Sequence, residues 1–395
     1  MSANIRLFYV YRIVSRMYFH LSILFVYFYM LKLPVWQIEL LLAVYAVILL
    51  LTSKLNAFLL QRLNMKHKHV IAIGELVKAA GLVLLISDGH LPLLVGGQVL
   101  SGLGYSLAQG TDSSLLRTIA RDSAQYGQAE SGSGSYTFAS FLLSGIVGSV
   151  LFRYSADYAF WSSALANAIA AAAVMLIREP AHVRSGTVQQ AAPPETAEEN
   201  SPRRFWKLYY SLTRAFAMAV FTGFLPYYFF VSVKVDLQLF GLVLSLFTLL
   251  GFVAARHIMK AGSKFGYRKI AAASALLTAL SLLLFGSSSD IVAGLAAIAV
   301  LGLASGGVRP LTVSQLNLSN LDPSVRTAVL SSMERTFGLI NALLLIGGGL
   351  TLESIGFQGL MLASAAIYVI LLVGSFKRLS FSPTAARNAS AEKSH

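Results

Sequence analysis

Twelve long, nearly continuous apolar runs dominate this chain and leave few folds open to it. The 395 residues are 56% hydrophobic and only 12% charged, whereas an ordinary soluble domain is roughly 25% charged. So few charged residues cannot cover a water-facing surface, so most of the surface must face lipid. Each run has about the 20 residues that a helix needs to cross a bilayer. None alternates apolar and polar residues as barrel strands do, so we predict an all-α membrane protein.

Short polar loops separate the runs, with one longer interruption. The segment 178–205 carries prolines and glutamates, which is typical of a polar linker. We therefore predict an N-terminal six-helix bundle at 1–177, a cytoplasmic linker at 178–205, a C-terminal six-helix bundle at 206–378 and a disordered cytoplasmic tail at 379–395. The twelve runs are 7–31, 35–55, 69–87, 91–116, 132–152, 156–177, 206–231, 237–256, 267–286, 291–316, 327–350 and 356–376.

Lysines and arginines fall unevenly on the two sides of these runs. If the N-terminus is cytoplasmic, twenty-two of the 31 basic residues lie on the cytoplasmic side, and only Lys32, Arg153 and Lys234 lie outside. Basic residues accumulate in cytoplasmic loops. This distribution predicts cytoplasmic N and C termini in a multi-pass protein of the cytoplasmic (inner) membrane. It also accounts for the net charge of +14 without a nucleic-acid partner, which would need a basic patch on a soluble face.

The two six-run halves repeat one another at an offset of about 200 residues, as expected of a parallel repeat. Corresponding runs carry matching residues: Gly102-Leu103 and Gly302-Leu303, Thr137-Phe138 and Thr336-Phe337, and Arg16 and Arg214. The sequence therefore predicts two pseudo-symmetric bundles of six transmembrane helices.

Twelve helices, a 6+6 repeat and a long central loop resemble the major facilitator superfamily. The loop between runs 8 and 9 keeps the basic-glycine-basic core of that family's motif, whereas the loop between runs 2 and 3 is more degenerate. The resemblance implies a cytoplasmic gate that contains Arg62, Asp112, Lys264 and Arg268, with Asp112 pairing with Arg62. The two loops read Gly262-Ser263-Lys264-Phe265-Gly266-Tyr267-Arg268-Lys269 and Gln61-Arg62-Leu63-Asn64-Met65-Lys66.

Two further stretches look like the bacterial drug-efflux-like branch of that family. They are Gln109-Gly110-Thr111-Asp112-Ser113-Ser114-Leu115-Leu116 and Asp322-Pro323-Ser324-Val325-Arg326. Two features depart from the branch. Gln98 stands where proton-coupled exporters often carry arginine, and the stretch 144–149 lacks the proline of the antiporter motif.

The first run holds Arg12, Arg16 and His20, a spacing of four that predicts one shared helical face. Charges at this depth cost roughly 2.5–3.5 kcal/mol on insertion scales and usually face the bundle interior or a wet cavity. We expect Arg16 to face a cavity. Arg12 either does the same or snorkels to the inner interface. His20 is either a proton relay, given its ordinary pKa near 6.5, or a hydrogen-bonded packing histidine.

Three more arginines lie in runs of the second half: Arg214, Arg309 and Arg335. Together with Arg16 and Arg12 they predict a positive cavity that attracts anions, since the arginine fork matches carboxylate or phosphate. Organic-phosphate antiporters of the superfamily are similar in placing an arginine on the first and on the seventh helix. Glu334 either takes part in proton coupling or forms only a local pair with a neighbouring helix.

These features favour a monomeric secondary transporter that moves a small anionic or zwitterionic organic solute through the lipid bilayer. Efflux with proton coupling is the leading version, and organic-anion uptake or exchange is the alternative. A non-transporting receptor or assembly factor is the alternative class. The sequence lacks hydrolase and metalloprotease motifs and a phosphate-binding loop for ATP. It contains no cysteine. We therefore expect no enzyme, no cofactor and no metal.

Overall fold

The computed structural model describes residues 3–52, 55–179, 200–318 and 323–380. All regular secondary structure in these ranges is helical. Most of the predicted linker and nearly all of the predicted tail lie outside the described residues. So does Asp322 of the efflux-like loop.

The helices follow the apolar runs, and local sequence explains many of their ends. Pro34 precedes α3, while Asp122 and Asp290 cap α8 and α14 by accepting backbone N–H groups. Such side-chain caps satisfy donors that the first helical turn leaves free. The helices are α1 (Ala3–Val14), α2 (Leu24–Met30), α3 (Val35–Leu51), α4 (Leu55–Gln61), α5 (His67–Leu85), α6 (Leu91–Ala108), α7 (Thr111–Ile119), α8 (Ser123–Tyr154), α9 (Ala156–Met175), α10 (Asn200–Ala219), α11 (Leu225–Tyr227), α12 (Leu237–Phe265), α13 (Tyr267–Ser287), α14 (Ile291–Gly306), α15 (Val308–Leu318) and α16 (Pro323–Ser380).

Seven helical segments of the described chain are long and apolar enough to cross a membrane. The longest, Ser332–Gly374, covers two predicted runs, which meet at the non-helical Gly356 (φ 70°). Val35–Leu51 and Ala139–Tyr154 are apolar but shorter. The described helices thus support a chain with several membrane spans, while the count of twelve and the cytoplasmic location of the termini stay predictions.

The first predicted run is not a single helix. α1 ends at Val14, residues 15–23 form turns, and α2 begins at Leu24. The expectation that Arg12, Arg16 and His20 share one helical face is therefore wrong. Beyond Val14 the backbone no longer advances by 100° per residue, so a spacing of four no longer aligns side chains.

Neighbouring helices compensate for this break. Non-helical backbone at membrane depth is tolerated only where protein or water satisfies its polar groups. The His20 N–H donates to the Ser163 hydroxyl at 3.1 Å, and the Ser22 hydroxyl donates to the Gly145 carbonyl at 3.2 Å. Gly148 lets α8 pack directly against the Phe19 carbonyl, where a side chain would collide.

Glycines at equivalent places in the two halves make equivalent contacts. A Cβ on Gly102 of α6 would lie 3.0 Å from the Tyr45 carbonyl oxygen, and one on Gly302 of α14 would lie 2.6 Å from the Phe247 carbonyl oxygen. Tyr45 and Phe247 are themselves about 200 residues apart, the offset that the repeat requires. Both glycines therefore bring equivalent pairs of helices close together.

The two halves meet along two helix pairs, α3 with α16 and α8 with α12. We call the membrane end that carries residues 31–34, 233–236 and Gly356 the predicted outer end, because the charge distribution assigns it to the outside. Aromatic pairs join the halves there. The ring centroids of Phe25 and Tyr227 are 6.3 Å apart, and those of Tyr29 and Phe230 are 6.0 Å apart. The molecule is thus held together at this end.

Glu179 fastens the end of the first half to the start of α5. The carboxylate accepts the backbone N–H groups of His67 and Lys68, each at 3.2 Å, and contacts the His67 ring at 2.6 Å. Burial by itself would raise the pKa of Glu179. The hydrogen bonds to the His67 ring and to the two backbone N–H groups outweigh burial, so the pKa lies below its ordinary value.

Replacing Glu179 by glutamine should cost about 0.5–2 kcal/mol at neutral pH, as loss of a helix cap does. A carboxyl group whose pKa is lowered by folding stabilises the folded protein fully at any pH above its pKa in the unfolded chain. This stabilisation is lost as the pH falls through the lower pKa of the folded protein. The difference between wild type and Glu179→Gln in thermal unfolding should therefore vanish in acid. Glu353→Gln, at an exposed glutamate, is the control. If the difference in stability between wild type and Glu179→Gln grew in acid, the lowered pKa of Glu179 would be contradicted.

Candidate functional site

A buried group of charges lies where the first half breaks its helices. Asp112, in the first turn of α7, follows Gly110, whose φ of 81° ends α6 and redirects the chain. Its Oδ2 lies 2.7 Å from Arg12 Nη1 and 3.6 Å from Arg16 Nη2. Arg12 also contacts Glu130 at 3.1 Å. One carboxylate thus holds both arginines of the broken first run.

Arg16 has the longer contact to the shared carboxylate of Asp112. It also donates a hydrogen bond to the Tyr18 hydroxyl at 3.3 Å, and within the described chain its Nε, like that of Arg12, has no hydrogen-bond partner. The guanidinium lies 5.3 Å from the centre of the Tyr105 ring. Arg16 therefore keeps donor capacity for a further acceptor.

A second ion pair adjoins this group from α5. Glu75 and Lys78 lie 2.6 Å apart and are almost fully buried. The Lys78 ammonium sits 5.7 Å from the centre of the Tyr18 ring. This polar face of α5 therefore points into the bundle.

The second half carries its own arginine–carboxylate pair. Arg214 Nη1 lies 2.9 Å from both carboxylate oxygens of Glu334. The Tyr210 hydroxyl contacts both partners. The guanidinium stacks on Phe337 at 4.4 Å from the ring centre. This pair is more open than the first group, since the side chains of Arg214 and Glu334 are 23% and 27% exposed.

Tyr105 lies between the two groups. It is in electrostatic range of Arg16 on its own half and of Arg214 and Glu334 on the other half. The structure therefore brings Arg12, Arg16 and Asp112 of the first half near Arg214 and Glu334 of the second half. With Glu130, which pairs with Arg12, three carboxylates accompany three arginines, so the group is close to electrically neutral rather than strongly positive.

Other predicted site residues lie elsewhere. Arg309 and Arg335 are exposed. Arg335 lines a cavity of about 280 Å³ with Leu50 of α3 and three other residues of α16. No ion pair in the described part of the chain joins Arg309 to the Arg214 pair.

His20 packs against α9. Its Nδ1 lies 2.9 Å from the Ser163 hydroxyl, and its ring packs against Phe160, with the ring centroids 5.8 Å apart. These contacts fit a packing histidine.

The predicted pairing between Arg62 and Asp112 is not present in the described part of the chain. Asp112 turns inward to Arg12 and Arg16, while Arg62, Lys264 and Arg268 are exposed. The break at Gly110 is the reason, because it carries Asp112 from the end of α6 into the bundle interior. Whether the three exposed residues act as a gate stays a prediction.

Glu39 is not among the site residues predicted above. It is the sole acidic residue of the run 35–55. An ionisable side chain inside a membrane span is costly and usually functional, so this signal could have identified it as it identified the arginines. Its side chain is fully buried, and in the described part of the chain neither carboxylate oxygen has a hydrogen-bond partner.

A family model described as Major Facilitator Superfamily matches residues 13–260 and again 208–394. No curated protein is significantly similar to the chain in sequence.

Several solved structures share the fold. The nucleoside transporter NupG is 16% identical with a TM-score of 0.74, covering 97% of this chain and 100% of that one. A POT family transporter in complex with 5-aminolevulinic acid is 12% identical with a TM-score of 0.79, covering 97% of each chain. The D-xylose-proton symporter is 12% identical with a TM-score of 0.71, covering 92% of this chain and 96% of that one.

Proposed function

The chain belongs to the Major Facilitator Superfamily, and on that premise we propose that it is a secondary transporter for a small zwitterionic or anionic organic solute. The observation that carries the proposal is the pair of arginine–carboxylate groups on either side of Tyr105. One half contributes Arg16 with Asp112, and the other contributes Arg214 with Glu334. A site shared by the two halves is what alternating access requires, since rocking the halves then exposes it to each side in turn.

The charges favour a zwitterion over a simple anion. Within the described chain the Arg16 Nε–H has no acceptor, and the guanidinium fork is suited to carboxylate. Glu334 is partly exposed and accepts hydrogen bonds from a cation. A solute with both a carboxylate and an ammonium group satisfies both sites. A plain anion leaves the near-neutral group with one negative charge in excess.

We further propose efflux across the cytoplasmic membrane, coupled to protons. The efflux-like stretch from Gln109 to Leu116 supports the direction. Glu334 supports the coupling, because a carboxylate that exchanges an arginine partner for a proton or for substrate links the two events. His20, held by Ser163, is the weaker candidate for this role.

Thermal unfolding of the purified protein with a panel of amino acids, dipeptides and dicarboxylates tests the site. We expect zwitterions to stabilise the wild type, by about 2.7 kcal/mol at a hundred times the dissociation constant, and Arg16→Ala to remove that shift. Stabilisation by dicarboxylates alone would favour the plain anion. No stabilisation by any compound, with no flux in proteoliposomes, would favour a non-transporting receptor or assembly factor.

Membrane vesicles of both orientations test the direction with the same compounds. Efflux predicts accumulation in inside-out vesicles when the interior is acidic. Accumulation only in right-side-out vesicles would establish uptake instead.

A further inference from the structure

Glu39 occupies an enclosed site between the two halves. It lies near the start of α3, about 6 Å along the helix from Val35 at the predicted outer end. The side chain is fully buried, and neither carboxylate oxygen has a hydrogen-bond partner among the residues that the structure describes. A buried polar group without a partner is rare in folded proteins and calls for a physical explanation.

Glycines of the other half make the room for this carboxyl group. Gly223 lies in the π-helical segment Val220–Phe224 that follows α10. A Cβ there would collide with both carboxylate oxygens of Glu39. A Cβ on Gly349 of α16 would lie 2.5 Å from Glu39 Cβ. The pocket is therefore formed by both halves, and it exists only while they are in contact at this end.

No charge compensates Glu39 within the described chain. The surrounding elements carry ionisable side chains, and no hydrogen bond in the described chain joins any of them to the Glu39 carboxylate: Tyr29 on α2, Tyr45 on α3, Tyr105 on α6, Tyr227 on α11 and Glu353 on α16. Arg214 is about 13 Å from Gly223 along the helix, and Glu334 and Arg335 are about 20 Å or more from Gly349 along α16.

An ionised carboxylate is costly in such a site. Burying an unpaired charge costs several kcal/mol even after relaxation, so a buried carboxyl group takes up a proton instead. The closed pocket therefore holds Glu39 in its neutral form. When the halves separate at this end, Gly223 and Gly349 withdraw, water reaches the carboxyl group, and the proton dissociates to that water.

We propose that Glu39 is a proton-binding site whose occupancy stabilises the conformation closed at the predicted outer end. This inference rests on the proposed function only in assuming that the two halves move apart. By linkage, a proton bound by the closed form but not by the open form shifts the equilibrium toward closure as pH falls. One proton changes the closed-to-open ratio by at most about tenfold per pH unit.

The absence of cysteine from the sequence allows a direct test. Tyr154→Cys and Leu239→Cys place spin labels on exposed residues of the two halves, at the end of α8 and the start of α12. In lipid nanodiscs between about pH 5 and pH 9, we expect the wild-type background to shift from a short-distance to a long-distance population as pH rises. Glu39→Gln should hold the short-distance population throughout the range. Glu39→Leu, also neutral, should do the same.

Glu353→Gln is the matched control, because it removes an exposed carboxyl group from α16 at the same end. It should titrate like the wild-type background. Identical titration of Glu39→Gln and wild type would overturn the inference, as would a wild-type distance that does not change with pH.

The two proposals fail separately. Transport without any effect of Glu39→Gln on the distance titration leaves the transporter function standing and removes the proton site. If the distance titration depends on Glu39 but no compound in the panel is transported, the proton site stands and the transporter function is contradicted.

Discussion

Arg16→Ala and Arg214→Ala should each abolish transport. Removing one partner of a charged contact at a binding site typically costs about 2–5 kcal/mol, which is at least about thirtyfold in the binding constant. Both variants should still fold. Asp112 keeps Arg12 as a partner at 2.7 Å, and Glu334 is partly exposed to water. The measurement is flux of the best compound from the panel in proteoliposomes, alongside its dissociation constant.

Arg309→Ala is the matched control for this prediction. Arg309 is an exposed arginine of the second half, and its loss should leave flux close to wild type. Arg214→Lys separates charge from geometry, because lysine keeps the charge but lacks the planar fork; we expect weak binding. If the double variant Arg214→Gln/Glu334→Gln transported normally, the pair would serve the fold alone and the proposed site would be wrong.

Asp112→Asn should destabilise the first half severely. The Asp112 side chain is 3% exposed, and those of Arg12 and Arg16 are 12% and 13% exposed. Breaking a buried ion pair from one side costs about 3–5 kcal/mol, because the remaining charge stays buried without its partner. Here two guanidinium groups lose their shared carboxylate. Thermal unfolding in detergent should show the largest loss of any single substitution described above.

The exposed Asp88 provides the control, since Asp88→Asn should change the stability by no more than about 0.5 kcal/mol. Adding Arg12→Met to Asp112→Asn should restore part of the loss, because it removes one of the two guanidinium groups that lost Asp112 as a partner. If Asp112→Asn unfolded at the wild-type temperature, the ion pairs of Asp112 would contribute little to stability, and Asp112 would not be what holds Arg16 in place.

The break in the first run could not be predicted from the sequence. Arg12, Arg16 and His20 have perfect helical spacing, and the stretch 15–23 contains no proline or glycine to signal a break. The break depends on partners far along the chain, including the Ser163 hydroxyl and the glycine at 148. The equivalent glycine contacts at Gly102 and Gly302, by contrast, follow the repeat that is visible in the sequence.

The sequence by itself determined that this is a helical membrane protein with several apolar spans, because apolar length and low charge are properties of each segment. Only the tertiary structure decided which charges meet. Asp112 joins Arg12 from about 100 residues away, and Glu334 joins Arg214 across about 120. Glu39 acquired its enclosed site from Gly223 and Gly349. A short-range electrostatic contact depends on where the helices pack, and no spacing along the chain encodes that.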